Sequence, residues 1–379
     1  MTTELKPGAA LASDYAYQTH ILQGVSRTFA LTIPALPPEL CRVVGNAYLL
    51  CRIADVVEDD HQLQPTQQRY FSNQFVSVVE GAEAAERFAS GLYPLLSAAT
   101  PEAERDLIRN TASVIRVTHG FNVRQRQALA RCVRIMAQGM ADYQQRESLD
   151  GLPDLPALDD YCYYVAGVVG ELLTELFCDY SPEINAQREE LMRLAVSFGQ
   201  GLQMTNILKD IWEDGKRGAC WLPRDLFLAH GVTLRDKIPG ACDAGFGAGL
   251  AQLIGIAKAH LDNALTYTLI IPRHEPGIRK FCLWALGMAI LSLRKLNRHR
   301  GFSAGSQVKI SRRSVKLTVR ISNLLVTQDR FLRALMNILT RALPVNNIHE
   351  KLNKLNYQRA SGTRQRAQGD IACRTDRST

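Results

Sequence analysis

The chain has 379 residues, of which 46% are hydrophobic, and this is enough apolar material for a large buried core. Its longest apolar block, residues 281–293, is followed at once by Arg294 and Lys295, so it is too short for the roughly 20 apolar residues of a helix that crosses a bilayer. The formal net charge is +8, and the nine cysteines, which form no CxxC pair, predict reduced thiols in a cytoplasmic protein rather than a disulfide scaffold.

One domain with two polar ends is the expected organisation. No stretch rich in proline, glycine or serine separates two halves, so we assign one helical domain to residues 13–345. Residues 1–12 are expected to form a flexible N-terminus. Residues 346–379 form a basic tail whose polar composition predicts disorder. We expect a solvated tail, with peripheral contact to the anionic inner face of a membrane as the alternative.

Helical periodicity prevails along the chain, whereas the alternation typical of strands is scarce. The prolines at 37–38 predict the start of a helix, because proline is tolerated in the first turn. Many of the predicted helices are apolar around most of their circumference, which is typical of helices buried in a large all-α domain. The predicted helices are 12–24, 37–60, 66–82, 101–118, 123–146, 157–179, 183–214, 247–269, 277–299 and 328–343.

Two of these helices carry a cluster of acids in an apolar context: YLLCRIADVVEDD at 48–60 and QMTNILKDIWEDG at 203–215. Positions i, i+3 and i+4 of a helix share a face, so each cluster converges. Repulsion between two carboxylates about 4 Å apart costs on the order of 1 kcal/mol in water, and more when they are partly buried. A bound divalent cation would reverse this cost. The predicted metal ligands are Asp55, Glu58, Asp59, Asp210, Glu213 and Asp214.

Each acidic helix also has a polar stripe, which continues upstream through Tyr48 and Arg52 in the first and through Gln203 and Asn206 in the second. Carboxylates without histidine or cysteine ligands favour Mg²⁺ over Zn²⁺, and Mg²⁺ usually binds substrate phosphates as well. Together with the apolar helices, this predicts a substrate with a diphosphate head and a hydrocarbon tail. The alternative is a surface face that neighbouring cations such as Arg217 neutralise.

A basic block lies downstream of the second cluster. Residues 276–328 contain no Asp or Glu but many Lys and Arg, so an anionic partner is expected there. The alternative is a solvated basic face.

Several motifs together resemble the squalene/phytoene synthase family of head-to-head prenyl transferases, over about residues 15–320. The most specific is YCYYVAGVVG at 161–170, which is very close to a family segment. The others are SRTF at 26–29, QGMADY at 138–143, RGACWLP at 217–223 and the two acidic helices. The resemblance implies a single all-α domain of the isoprenoid synthase type with a central apolar cavity.

The resemblance also implies the chemistry. Two farnesyl diphosphates would be condensed to presqualene diphosphate, which would be reduced to squalene with Mg²⁺ and NADPH. Tyr161, Arg52 and Tyr48 would be catalytic, with Tyr161 assisting the proton loss that closes the cyclopropane. The diphosphates would be bound by Ser26, Arg27, Arg52, Gln203, Asn206 and Arg217, and the NADPH phosphates by Lys309, Arg312 and Arg313.

Within the family, the pattern favours the squalene-forming members, through Tyr164 and the segments 281–293 and 307–315. It departs from them at Ala285-Leu286, which replace Pro-Gln, and at Lys209, which replaces Arg. The alternative is a non-reductive head-to-head synthase that makes presqualene diphosphate, dehydrosqualene or phytoene.

An alternative from another class is a non-catalytic basic helical protein that binds RNA or a membrane. Duplicated acids would repel nucleic-acid phosphates, so we expect no nucleic-acid partner. We expect a monomer.

Overall fold

A computed structural model describes residues 7–26, 28–144, 148–240 and 243–345. These ranges contain no β-strand; the only extended pairing in them is an isolated bridge between Leu152 and Pro223. The predicted all-α class is therefore confirmed. The predicted tail at 346–379 lies outside the described residues.

The helices of the described residues differ widely in length. The α-helices are α1 Pro7–Val25, α2 Phe29–Thr32, α3 Pro38–Asp59, α4 Pro65–Val79, α5 Ala85–Leu92, α6 Glu102–Arg109, α7 Thr111–His119, α8 Val123–Gln144, α9 Leu155–Cys162, α10 Val168–Tyr180, α11 Pro182–Ala186, α12 Arg188–Lys216, α13 Arg224–Leu228, α14 Ala244–Ile270, α15 Pro276–Arg298, α16 Gly305–Val308, α17 Arg312–Leu325 and α18 Asp329–Thr340. Short 3₁₀ turns cover Ile33–Ala35, Tyr93–Leu95 and Leu234–Asp236, and a π-helical turn covers Tyr163–Gly167.

The long predicted helices are present, with four differences. The predicted helix 183–214 is divided at Gln187, which separates α11 from α12. The first helix begins at Pro7, inside the segment 1–12 assigned to the N-terminus. The predicted helix 101–118 is divided at Asn110, whose side chain donates to the Asp106 backbone oxygen and carboxylate. The predicted helix 157–179 is interrupted by the π-helical turn, which separates α9 from α10.

Helix α17 was not among the predicted helices. Its first half is rich in serine, threonine and β-branched residues, which lower helix propensity. Packing compensates, because Thr318 lies over Gly287 of α15, where an added Cβ would come within 2.5 Å of the threonine methyl. The close packing of α17 on α15 therefore explains why these residues are helical despite their low helix propensity.

The core has two parts that meet along α12. One part is built mainly from α3, α4, α8 and α10, and the other from α12, α14 and α15. Helix α12 packs most extensively against α14 and also contacts α10. The cysteines in the described residues are free thiols, most of them buried, as expected for core residues.

Glycines bring the turn after α9 very close to α12. An added Cβ at Gly170 would lie 2.1 Å from the backbone oxygen of Ala195, and one at Gly199 would lie 2.1 Å from that of Ala166. Real Cβ atoms do not approach so closely, so both positions require glycine. The glycines of the YCYYVAGVVG segment thus serve helix packing, which holds Tyr161 beside α12.

One helix of the described residues, α15, is long and apolar enough by length and composition to cross a bilayer. Just over half of its apolar window is buried inside the fold. It also contains Arg279, of which only 1% is exposed. Its apolar character is used, at least in part, to build the second core.

Candidate active site between two acidic helices

A cleft opens between the C-terminal parts of α3 and α12. Its empty volume, including the open mouth, is about 730 Å³. Both acidic clusters contribute to its walls, so folding brings together two segments that are far apart in sequence. The lining residues are Glu58, Asp59, His61, Tyr161, Gln203, Asn206, Ile207, Asp210, Asp214, Arg217, Ala219 and Trp221.

The first wall is the last two turns of α3. Leu49, Leu50 and Ile53 are fully buried and fix the orientation of the helix. The opposite face then presents Glu58 and Asp59 to the cleft. The apolar and polar stripes of the helix are therefore separated as the sequence predicts.

Asp55 lies one turn earlier on α3, outside the residues that line the cleft, and is paired with Arg52, whose guanidinium is 3.5 Å from the Asp55 carboxylate. Arg52 also donates to the carboxylate of Glu104 on α6. Burial raises the pKa of Asp55 to about 7; the charge of Arg52 opposes this and that of Asp59 adds to it. Holding the first cluster in its charged form therefore costs free energy, which Arg52 offsets only in part.

The second wall is formed by α12, which presents Gln203, Asn206, Asp210 and Asp214. Lys209 joins two of them, because its Nζ is 3.1 Å from Asn206 Oδ1 and 3.1 Å from Asp210 Oδ2. The lysine that departs from the family pattern thus provides a cation on this wall.

The two walls influence each other electrostatically. Burial raises the pKa of Asp214 to about 6; Arg217 opposes the shift, while Asp210 and Asp59 increase it. Asp59 belongs to the opposite wall. Burial also raises the pKa of Asp59, against the charges of Arg52 and Arg217. Positive charge placed between the walls would stabilise both clusters at once.

Glu213 faces away from the other acids. Its two carboxylate oxygens accept from the backbone N–H of Gly305, at 2.9 and 3.2 Å. The neighbouring Trp212 donates its indole N–H to the Phe302 carbonyl at 2.6 Å. Two consecutive residues of α12 therefore hold the loop that leads to the basic segment. The role of Glu213 as a metal ligand stays a prediction.

Tyr161 lies at the end of α9 and is almost fully buried. Burial and the nearby carboxylates of Glu58, Asp59 and Asp214 raise its pKa well above 10, so its hydroxyl remains protonated. Its ring stacks on Trp221, with centroids 4.1 Å apart and an angle of 4° between the planes. This pair of aromatic faces borders the cleft.

Trp221 is the main residue of the cleft that the sequence did not single out, although RGACWLP was recognised as a motif. Backbone hydrogen bonds tie its loop to the segment before α9, through Leu152 N–H to the Leu222 carbonyl at 2.9 Å and Arg224 N–H to the Leu152 carbonyl at 2.7 Å. Gly151 permits this approach, because its φ is +82° and an added Cβ would lie 2.4 Å from the Leu222 oxygen. The sequence feature that could have pointed to this loop is therefore Gly151, which the backbone conformation requires, and not the tryptophan itself.

Two other predicted residues lie upstream of the first wall. The Tyr48 hydroxyl donates to the Val25 carbonyl at 3.0 Å, and Ser26 Oγ accepts from the backbone N–H of Phe29 at 2.9 Å. The first bond joins α3 to the end of α1 and the second caps the start of α2, and neither residue lines the cleft. Arg27, predicted to bind diphosphate, lies outside the described residues.

The predicted NADPH-binding residues Lys309, Arg312 and Arg313 are exposed and do not line the cleft. Arg312 and Arg313 begin α17, where Ser311 caps the helix by accepting from Ser314 N–H. The segment follows α16, which contacts the second acidic helix α12, so folding brings it near that helix.

The donor set of the cleft suits a magnesium ion that also binds substrate. Among the described residues, no three His, Cys, Asp or Glu side chains form a compact metal site by themselves. The cleft offers mainly carboxylate and amide oxygens, with one histidine and no cysteine. Mg²⁺ commonly takes only one or two protein carboxylates and completes its shell with water and phosphate oxygens.

Sequence relatives of this chain are squalene synthases. The squalene synthase of Eremothecium gossypii is 30% identical over 279 residues, which are 72% of this chain and 60% of that protein. Squalene synthase ERG9 of Saccharomyces cerevisiae is 28% identical, over 84% of this chain and 68% of that protein. The chain thus spans about 60% of the length of the first of these curated relatives.

Solved structures show the same fold. TcSQS in complex with a ligand matches with a TM-score of 0.67 and 23% identity, over 91% of this chain and 96% of that chain. A dehydrosqualene synthase matches with a TM-score of 0.61 and 20% identity, over 87% of this chain and 100% of that chain. The sequence model of the squalene/phytoene synthase family matches residues 22–314, which is most of the chain, and the chain therefore belongs to that family.

Proposed function

We propose that the protein condenses two farnesyl diphosphates head to head and reduces presqualene diphosphate to squalene, with Mg²⁺ and NADPH. The observation that carries this proposal is the cleft in which two acidic helices and Tyr161 face one another. The names of the relatives support the product, since the curated proteins that match are squalene synthases.

The diphosphate-binding part of the reaction follows from the charges. Mg²⁺ bound at the two clusters would offset the negative charge that grows on a departing diphosphate. Asn206 and Arg217 line the cleft, Lys209 binds the side chains of Asn206 and Asp210 beside it, and all three can donate to phosphate oxygens. The chain therefore supplies both acids for the ion and cations for the phosphate.

Tyr161 can assist the proton loss as a neutral hydroxyl. Its oxygen can accept the substrate proton if its own hydrogen passes to an oxygen of the departing diphosphate. The stacked rings of Tyr161 and Trp221 provide a π surface next to the cleft, which can stabilise cationic charge on carbon.

Product analysis tests the proposal. Farnesyl diphosphate and Mg²⁺ with NADPH should give squalene, and without NADPH should give presqualene diphosphate or other non-reduced products. Identical products under both conditions would favour the non-reductive alternative. Failure to consume farnesyl diphosphate would remove the synthase proposal.

The basic segment is expected to serve only the reductive step. Replacing Lys309, Arg312 and Arg313 together by Ala should raise the NADPH concentration needed for half-maximal reduction at least tenfold. The reason is that a charge-assisted hydrogen bond is worth roughly 1.5–3 kcal/mol. Consumption of farnesyl diphosphate should continue, because these side chains are exposed outside the cleft. The measurement is initial rates of both half-reactions over a range of NADPH concentrations.

Loss of both half-reactions together in the triple variant would contradict a cofactor role for the segment. A matched control is Lys316→Ala, which removes an exposed cation one turn further along the same helix.

We further propose a monomer located in the cytoplasm with a solvated basic tail at 346–379, and keep peripheral contact of that tail with an anionic membrane as the alternative. The contact should weaken as salt is added, because charges near a surface are screened within a Debye length.

A further inference from the structure

An exposed apolar surface lies on the last two helices, away from the cleft. Eleven large hydrophobic residues are exposed in the described ranges, and five of them fall between positions 317 and 345. Single exposed apolar residues are ordinary, but a cluster of them marks an interaction site.

The spacing places these residues on one face of each helix. Leu317 and Leu324 of α17 are seven positions apart and are 57% and 79% exposed. Phe331 and Ile338 of α18 are also seven apart and are 63% and 70% exposed. A separation of seven is two helical turns, so each pair forms a stripe along its helix.

The two stripes belong to one surface. Helices α17 and α18 both pack on α15 and contact each other, so their exposed faces lie on the side away from α15. Arg279 of α15 fixes the junction between them. Its guanidinium donates to the Val326 carbonyl at 3.0 Å and to Asp329 Oδ1 at 2.7 Å, at the end of α17 and the start of α18.

Charges on this surface are nearly all positive. Between Arg312 and Thr340 there are six Lys or Arg and one acid, Asp329. That acid is already paired with Arg273 and Arg279. Arg320 lies three positions after Leu317, and Arg341, at the end of α18, lies three positions after Ile338; both arginines are exposed and share the face of the neighbouring stripe.

We propose that the α17–α18 surface, defined by Leu317, Leu324, Phe331 and Ile338 with Arg320 and Arg341, docks on an anionic lipid bilayer. Apolar side chains flanked by cations match the boundary between acyl chains and acidic headgroups. A nucleic acid would use the cations but gain little from four exposed aliphatic and aromatic side chains. A second copy of the chain would bring equally basic helices into contact. The residues of the α17–α18 surface are separate from both those that line the cleft and the tail 346–379.

Vesicle co-sedimentation of the full chain tests the proposal. The wild type should bind vesicles of phosphatidylcholine with phosphatidylglycerol and bind pure phosphatidylcholine much less. The double variant Phe331→Gln/Ile338→Gln should lose binding about tenfold or more, because apolar insertion drives partitioning. The matched control Ile238→Gln, at an exposed apolar residue between α13 and α14, should bind as the wild type does.

A charge variant separates the two contributions. Arg320→Gln/Arg341→Gln should lower binding to the anionic vesicles about fivefold for each charge, and should leave the weak binding to neutral vesicles unchanged. Both double variants keep the tail 346–379, so a loss of binding is assigned to the α17–α18 surface. Unchanged thermal unfolding would show that each variant is folded.

Three results would overturn the proposal. Anionic vesicles that bind the wild type and the apolar variant equally would assign binding to charge or to the tail alone. A wild type that is dimeric without lipid, together with a monomeric apolar variant, would assign the surface to a second copy. Binding of RNA but not of vesicles would assign it to nucleic acid.

Discussion

Replacing Asp55 or Asp210 by Asn is expected to lower the rate of farnesyl diphosphate consumption at least about 100-fold. Each change removes a carboxylate from one acidic cluster and would weaken the binding of the Mg²⁺ that we propose there. An ion that stabilises the departing diphosphate contributes several kcal/mol to the barrier, and each 1.36 kcal/mol is tenfold in rate. The measurement is the initial rate with saturating Mg²⁺, followed by a Mg²⁺ titration.

The fold should survive the change at Asp55. Burial and Asp59 disfavour its charged form, and a neutral amide removes that cost. Thermal unfolding of the metal-free Asp55→Asn protein should therefore occur at the wild-type temperature or above it. Glu189→Gln is the matched control for Asp210, because it alters an exposed acid at the start of the same helix. Turnover at the wild-type rate in either aspartate variant would remove that residue from the site.

Replacing Asp329 by Asn is expected to destabilise the protein by about 3 kcal/mol. Arg279 is fully buried, and Asp329 is the acid that the structure pairs with it. Removing one partner of a buried ion pair costs roughly 3–5 kcal/mol, and the low end applies because Asp329 is partly exposed. For a chain of this length we expect a fall of about 5 °C in the unfolding temperature, measured by calorimetry.

Lowering the pH should reduce the difference in unfolding temperature between the Asp329→Asn variant and the wild type. Burial tends to raise the pKa of Asp329, but hydrogen bonds from Arg279 and Arg273 hold that pKa below its usual value of 3.8. A lowered carboxyl pKa contributes stability that is present above 3.8 and is lost as the pH falls through the folded value. The two unfolding temperatures should therefore converge at low pH.

Arg273→Gln is the matched control for the Asp329→Asn variant. Arg273 also binds Asp329, but its side chain is mostly exposed, and an exposed ion pair is worth at most about 1 kcal/mol. A loss at Arg273 as large as the loss at Asp329 would show that the exposed contact, and not the buried charge, carries the effect.

The sequence by itself determined the helical class and the orientation of both acidic helices. Positions i, i+3 and i+4 share a face whatever the rest of the chain does, so Asp55 with Glu58 and Asp59, and likewise Asp210 with Asp214, lie on one face through local geometry alone. The buried leucines on the other face of α3 set which way these acids point. Cofactors, the metal and the product are not decided by this geometry and stay predictions.

Only the tertiary structure decided which partners the polar side chains take. Glu213 carries the same helical signal as Asp210, yet its carboxylate binds Gly305, which is 92 positions away. Arg52 binds Glu104, 52 positions away, and Tyr161 stacks on Trp221. Helical periodicity reports on neighbours within about four residues, whereas these contacts depend on how loops and helices distant in sequence are brought together by packing.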